Sequence, residues 1–362
     1  MVVLIGAAVL AVLCALIGYS AVRMHDYSVS ASEKLSASEV SRYAEAIQAK
    51  VDNAFALSRG MAFQLQAHDK LPLEGRRDII DQQMVALYQN NKDELVDFWT
   101  VWEPNAFDGR DAMFAGIASN TDASGRYVTA VSQSGIEPTG AYDDPANNWY
   151  HGPIKTGEEF ASEPYDYTYA ADNRTVKLIT LSVPIIKDGK VVGVFGTDLE
   201  IQKLITLVQG MYTDGPRAVL LTAEGTYLVP LNKEEQGKNI KDVSPAYAQL
   251  FSEAVHGKLV HSVVEPDGGG EKEYLVYAPI QIGRTKTPWV LGVHIPASIV
   301  LAEANTSTLI ALVSGAAAFL LIIALVFLIA KSIVDPLQLV SAAATVVAKG
   351  NLDVTIAGTG RK

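Results

Sequence analysis

The sequence predicts an α/β (α+β) fold: a long N-terminal helix, then two tandem modules with antiparallel sheets, the whole flanked by two transmembrane helices. Three observations predict it. Two uncharged apolar runs of about 20 residues stand near the two ends, at Val2 to Ala21 and at Thr308 to Ala330. Behind the first, apolar residues recur at three- and four-residue steps, as one face of a helix requires. Farther on, a pair of β-rich runs joined by a turn occurs twice, with Pro184-Ile185 and Pro279-Ile280 at the same place in each copy.

Each apolar run is long enough to cross a hydrocarbon core of about 30 Å. A cleaved signal peptide is the other reading of the first, but that needs a basic start and a shorter apolar stretch, and this run has neither. Lys331, Lys349, Arg361 and Lys362 follow the second run and Glu303 precedes it, so the positive-inside rule puts the C-terminal tail in the cytoplasm and residues 24–307 outside. The chain carries 29 basic and 40 acidic residues, a net charge of −11. Setting aside the basic residues that flank the membrane runs makes the external part more acidic still. That balance argues against nucleic acid as a partner and favours cations. The one cysteine, Cys14, lies in the first apolar run, so no disulfide staples the external part.

In order along the chain, 2–22 is read as the first membrane helix and 30–68 as a long helix carrying the stripe Val40, Ala44, Ile47, Val51, Ala54 and Phe55, with a break allowed near Ser36. Leu71 to Leu95 reads as a helical connection. Val96 to Trp102 and Tyr127 to Ser132 read as strands, and Tyr142 to Tyr150 is crowded with turn formers and reads as a loop. Val176 to Ile186 and Val191 to Asp198 form a hairpin about Asp188-Gly189, and a helix spans Leu199 to Met211. The first module is thus 69–212. The second, 213–300, contains the strands Glu273 to Ile280 and Trp289 to Ile295. The second membrane helix is 308–330, and 331–362 holds a short amphipathic helix with Val340, Ala344 and Val347 on one side.

The stretch Trp149 to Asp198 mixes aromatic residues with carboxylates. Aromatic faces attract cations and cover flat rings, and a buried carboxylate fixes an N–H or N⁺ group. Trp99 and Trp102, three apart on one strand, point to opposite faces, so one of them can line a pocket floor. The same alternation sets Asp166 apart from Tyr165 and Tyr167. The six histidines show no metal spacing, and no nucleophile elbow, phosphate loop or dinucleotide fingerprint occurs. No cofactor, no metal and no enzymatic activity are expected.

Taken together these elements resemble the bacterial double-Cache (dCache) family of transmembrane receptors, found on chemotaxis receptors (methyl-accepting chemotaxis proteins), sensor kinases and cyclic-dinucleotide enzymes. Ile333-Val-Asp-Pro336-Leu337 through Gly350-Asn351-Leu352 resembles the first helix of a HAMP linker. The resemblance implies ligand binding in the membrane-distal module. Family members that sense amino acids use a Tyr, four residues, Arg, one residue, Trp-Tyr pattern, then a carboxylate after Pro-Tyr and another at the end of the last strand. Tyr142, Trp149, Tyr150 and Asp198 fall on those positions, whereas Asn147 replaces the arginine and Tyr167 a carboxylate. An arginine fork is what grips an α-carboxylate, and a neutral asparagine lacks its charge. The implied ligand is a small nitrogenous molecule: an amine, a quaternary ammonium compound or a purine. The expected site is Tyr142, Asn147, Trp149, Tyr150, Tyr165, Asp166, Tyr167 and Asp198. An amino-acid sensor, or the input half of a sensor histidine kinase or diguanylate cyclase, is the alternative. The resemblance further implies a multi-pass protein of the bacterial inner membrane, a periplasmic sensor domain, a homodimer, and cytoplasmic signalling partners.

Overall fold

A computed structural model of the chain describes residues 2–117, 119–140, 142–145, 147–168, 173–212, 215–266, 269–329, 331–332 and 335–349. The chain divides into two compact units, one of residues 35–297 and one of residues 1–34 with 298–362.

The unit of residues 35–297 contains two antiparallel sheets. Its N-terminal part is the last half of α1 (Val2–Leu65), whose predicted stripe of Val40, Ala44, Ile47, Val51, Ala54 and Phe55 is buried. α1 is continuous through Ser36, so the break allowed there does not occur: the residues around it include no helix breaker, and a capping motif inside a helix is merely an exposed turn. α2 (Arg76–Asn91) follows a short 3₁₀ turn. The first sheet then forms from β1 (Asp97–Trp102), β2 (Val128–Ser132), β3 (Gly135–Glu137), β4 (Phe160–Ala161), β5 (Tyr165–Thr168), β6 (Thr175–Lys187) and β7 (Lys190–Glu200), with α3 (Asp111–Phe114) and α4 (Asn148–Thr156) in its connections. The strand order is β3-β2-β1-β7-β6-β4, and β5 also pairs with β6. The β6–β7 hairpin closes through Asp188 at φ 49° and Gly189 at φ 75°, the two left-handed residues that a two-residue turn between right-twisted strands requires.

Tyr142 to Tyr150 is not a loop throughout. Asn148, Trp149 and Tyr150 form the first turn of α4 with Asn147 at its N-cap position, and Gly157 at φ 67° closes the helix with its N–H on the Pro153 carbonyl. Residues on β1 alternate between the two faces of the sheet. Asp97, Trp99 and Val101 face α4, and Val101 and Trp99 pack with Trp149, Tyr150 and Val194. Phe98 and Trp102 face the other way, where Trp102 meets His68 and Phe107, and where Tyr127 donates to Asp81 of α2.

α5 (Ile201–Gln209) leads to the second sheet, of order β10-β11-β12-β8-β9. It comprises β8 (Arg217–Leu221), β9 (Tyr227–Val229), β10 (Val260–Val264), β11 (Glu273–Ile280) and β12 (Trp289–Pro296), with α6 (Ile240–Val243) and α7 (Pro245–Ala254) packed over it. The two β-rich parts are tied together. Glu159 accepts from Arg59 Nε at 2.5 Å and Nη2 at 2.8 Å and also from the backbone N–H of Arg284, while Thr222 Oγ1 donates to Glu163. Gly283 packs so tightly that a Cβ there would stand 2.8 Å from the Phe55 ring.

In the other unit, α8 (Ala297–Ile329) is 33 residues long and is the one helix among the described residues long and apolar enough to cross a membrane. Gly315 of α8 lies against Ile17 of α1, and a Cβ on that glycine would come within 2.8 Å of the Ile17 side chain. The first apolar run is helical as part of α1, with side chains described from residue 11 onward. α9 (Asp335–Ala348) matches the predicted amphipathic helix, while Ile333, Val334 and residues 350–362 of the HAMP resemblance lie outside the described residues.

Candidate functional site

The end of the first sheet nearest β5 brings four polar side chains abreast. The register pairs Ser132 with Asp97, Asp97 with Asp198, and Asp198 with Thr180, so residues of β2, β1, β7 and β6 share one face in a row. One step along, the row is Ala130, Trp99, Gly196 and Ser182. Gly196 is there for a steric reason: a Cβ on it would sit 2.2 Å from Cζ2 of Trp99, whose indole lies across the bare backbone. Trp149 descends from α4 to meet Trp99 edge to face, with ring centroids 4.7 Å apart. Gly196→Ala is therefore expected to push the Trp99 ring off the sheet and to destabilise the domain by about 1–3 kcal/mol, the usual cost of overpacking. Thermal unfolding and Trp fluorescence check this; an unshifted spectrum and midpoint would show that the ring has another place to go.

These groups enclose a cavity of about 170 Å³ lined by Asp97, Trp99, Ala130, Glu137, Thr139, Gly140, Asn147, Trp149, Tyr165, Asp166, Tyr167, Thr180 and Asp198. A cavity of this size takes a small occupant. Six of the eight expected residues converge there: Asn147, Trp149, Tyr165, Asp166, Tyr167 and Asp198. The hydroxyl of Tyr165 lies 2.6 Å from Thr180 Oγ1, which orients its ring along the wall. Asp166 sits at the rim, exposed and 2.8 Å from Lys177 Nζ, as the strand alternation requires. Among the described lining residues there are four carboxylates and four large aromatic rings, and none is lysine, arginine or histidine.

Tyr142 and Tyr150 do not line this cavity. Both flank Arg126, whose guanidinium carbon is 5.0 and 5.3 Å from their ring centroids. The Tyr150 hydroxyl bonds Glu103 and Arg126, and the Tyr142 hydroxyl donates to Asp122. An arginine is thus present nearby, on the segment just before β2, but it is already engaged by Trp102 O, Tyr150 and Glu103. Asp143, on the adjacent loop, stands 3.8 Å from the same arginine.

Asp198 is the sharpest feature of the cavity. It is 5% exposed, and its Oδ1 has no hydrogen-bond partner. Burial pushes its carboxyl up to about 6, against the opposing pull of hydrogen bonds with Thr180, Asp97 and Trp99. A buried carboxylate oxygen without a partner is costly, and a ligand N–H or N⁺ would satisfy it. A larger cleft of about 450 Å³ lies between the two β-rich parts and shares Asn147, Trp149 and Tyr165 with the cavity. Its buried carboxylates are already committed, Glu159 to Arg59 and Glu163 to Thr222, so the chemistry sits in the smaller space. Glu137 and Asp97 are cavity residues that the sequence reading did not single out.

This arrangement has relatives. Residues 28–304 match the Cache domain family (dCache_1). The chain belongs to the Cache domain family. Among curated Cache relatives it is similar to the methyl-accepting chemotaxis protein TlpQ of Pseudomonas aeruginosa, with 26% identity over 345 residues, covering 83% of this chain and 46% of TlpQ. It is also similar to the methyl-accepting chemotaxis protein McpA of Pseudomonas putida, 25% identical over 220 residues, 59% of this chain and 32% of McpA. The chain spans less than half the length of either. The Cache fold is shared with the extracellular domain of mmHK1S-Z3, a protein assigned as a histidine kinase (TM-score 0.66, 23% identity, 76% of this chain and 98% of that one). The periplasmic sensory domain of the Campylobacter jejuni chemoreceptor Tlp1 shares it too (TM-score 0.59, 21% identity, 75% and 98%).

Proposed function

We propose that the chain is the sensing part of a bacterial chemoreceptor whose Cache cavity binds a small cationic or N–H-rich ligand, an amine, quaternary ammonium compound or purine. One observation carries the reading: the described cavity lining combines four carboxylates with four aromatic rings and holds no basic side chain. A carboxylate-bearing ligand would meet only like charge there, while a cation finds charge-assisted bonds from Asp198 and ring faces on several sides. This favours an amine over an amino acid. The sequence relatives are chemotaxis proteins, which favours a chemoreceptor over the input half of a histidine kinase or diguanylate cyclase. In this reading the chain crosses the inner membrane at 2–22 and 308–330 with its sensor in the periplasm, pairs with a second copy, and passes the signal to a HAMP linker and cytoplasmic partners. Ligand binding drives such a relay only by its differential affinity for two receptor states.

The test is calorimetric titration of the chain in lipid nanodiscs with n-propylamine, tetramethylammonium, adenine and alanine. Binding of one of the first three with alanine silent is the expected result, and tight alanine binding with the others silent would overturn the reading. Asn147→Arg probes it from the other side. An arginine fork at that position, facing the cavity, is expected to admit alanine with a gain of about tenfold or more and to weaken the cationic ligand by a similar factor.

A further inference from the structure

A cleft of about 460 Å³ opens on the second sheet, away from the cavity described above. Its floor is Glu273, 7% exposed, whose carboxylate already has three donors. Oε1 accepts from Arg217 Nη2 at 2.9 Å, and Oε2 accepts from the Tyr247 hydroxyl at 3.1 Å and from Nδ1 of the wholly buried His294 at 2.9 Å. The donors around that floor have capacity to spare. Arg217, at the start of β8, has a half-exposed side chain, and among the described residues its guanidinium bonds Glu273 alone, through one of five N–H groups. Tyr227, on β9, is 2% exposed and lines the same cleft, yet its hydroxyl makes no hydrogen bond among the described residues. Burial drives that phenol above its ordinary value of 10.0, so it keeps its proton and offers it as a donor.

We propose that this cleft is a second ligand site, for a small monocarboxylate with an apolar tail, gripped by the Arg217 guanidinium and the Tyr227 hydroxyl. It is independent of the cationic ligand proposed for the first sheet. A buried hydroxyl without a partner is costly, and a ligand oxygen satisfies it. The guanidinium makes a carboxylate a better acceptor there than a neutral carbonyl, because its hydrogen bonds are charge-assisted. The neighbouring acids are occupied. Glu273 is held by its three donors, Glu235 accepts from the backbone N–H and Nδ2 of Asn232, and Glu271 stands exposed at the rim, where water and salt screen it. A cation would need acceptor capacity that Glu273 and Glu235 have already spent. The second charge of a dicarboxylate would find no second cation, since Arg217 is the only basic side chain among the described lining residues. Leu231, Val243, Pro266 and Pro296 supply apolar wall for the tail. Pro296 ends β12 and Ala297 begins α8, so an occupant touches the strand that runs on into the apolar helix.

The experiment is titration calorimetry of the chain in nanodiscs with propionate, propionamide and n-propylamine as probes, on the wild type, Arg217→Gln and Tyr227→Phe. Propionate is expected to bind with a Kd below about 1 mM, and propionamide about tenfold or more weaker. Tyr227→Phe is expected to weaken propionate by about threefold to tenfold, the effect of one hydrogen bond, and Arg217→Gln by about tenfold or more. Hydrogen exchange places the site: propionate should slow exchange in β11, residues 273–280, and leave β7, residues 190–200, unchanged. Absence of propionate binding, equal affinity for propionamide, or undiminished binding in Arg217→Gln would each overturn the proposal. Protection of residues 190–200 in place of 273–280 would do so too, by moving the carboxylate to the first sheet. Protection of residues 273–280 by n-propylamine, with propionate silent, would make the cleft a cation site instead. Should Arg217→Gln fail to fold, Tyr227→Phe and the propionate-to-propionamide ratio on the wild type decide the matter.

Discussion

Asp198→Asn is expected to weaken binding of a cationic ligand by about a hundredfold or more while the domain stays folded, since truncating one partner of a buried charge pair costs about 2–5 kcal/mol. Asparagine keeps the shape and the acceptor oxygen but loses the charge that a protonated nitrogen needs. The free protein should not suffer. Burial holds the Asp198 carboxyl near 6, well above the 3.8 of an unfolded chain, so the ionised form is a liability in the folded state. For such a raised group the favourable contribution is complete below the unfolded value and is lost as pH rises through about 6. The loss is of order 3 kcal/mol across that window. The asparagine variant has no such dependence and is expected to melt at the same temperature as the wild type or higher at pH 7. Ligand affinity runs the opposite way, because the cation needs the ionised carboxylate. In the wild type it should rise with pH up to about 6 and level off beyond. Calorimetry at pH 5 and pH 7.5 checks this, and equal affinities at the two would remove Asp198 from the recognition chemistry.

How much of this was legible beforehand depended on how local each feature is. The β6–β7 hairpin was readable because two β-rich runs and Asp188-Gly189 are contiguous, and so was the opposition of Trp99 and Trp102, which follows from alternation alone. Asp166 at the rim followed from the same rule. Asp97 was hidden because its significance comes from β7, about a hundred residues away, and nothing near Asp97 announces that Asp198 will be its neighbour. Arg126 was hidden for a similar reason: it reaches the rings of Tyr142 and Tyr150 from the segment just before β2, well away from both in the sequence. The start of α4 was misread since Asn147 and Asn148 signal a turn, yet an asparagine before Trp149 is equally a place for a helix to begin. A sequence pattern can therefore single out Trp149 and Asp198, which do line one cavity, and still leave open which neighbours complete it.

Arg77→Ala is expected to destabilise the domain by about 3–5 kcal/mol, the penalty for leaving buried carboxylates without their cation. Arg77 is only 3% exposed in its side chain, and its guanidinium joins three parts of the first β-rich region. Nε and Nη2 donate to Asp108 at 2.8 and 2.9 Å, Nη2 also to Asp111 at 3.1 Å, and Nη1 to the Gly125 carbonyl at 2.8 Å. The ring of Phe114 covers it at 4.0 Å. Asp108 shows how strongly the fork acts. Burial would raise its carboxyl, yet the Arg77 bonds and the Arg110 N–H carry it below the usual carboxylate value. That contribution is present above the ordinary carboxylate value of 3.8 and is lost as pH falls below it towards Asp108's lowered value, so the gap between wild type and Arg77→Ala should narrow below about pH 4. Arg77→Lys restores the charge without the fork and should recover only part of the loss. The Tyr127 ring that Arg77 approaches lies on the face of the sheet away from the cavity, so whatever folded protein remains should bind its cation within about threefold of the wild type. Thermal denaturation at about pH 3 and pH 7 checks the prediction. A loss below about 1 kcal/mol, or a gap that does not change with pH, would mean that water reaches Asp108 and Asp111 once the arginine is gone.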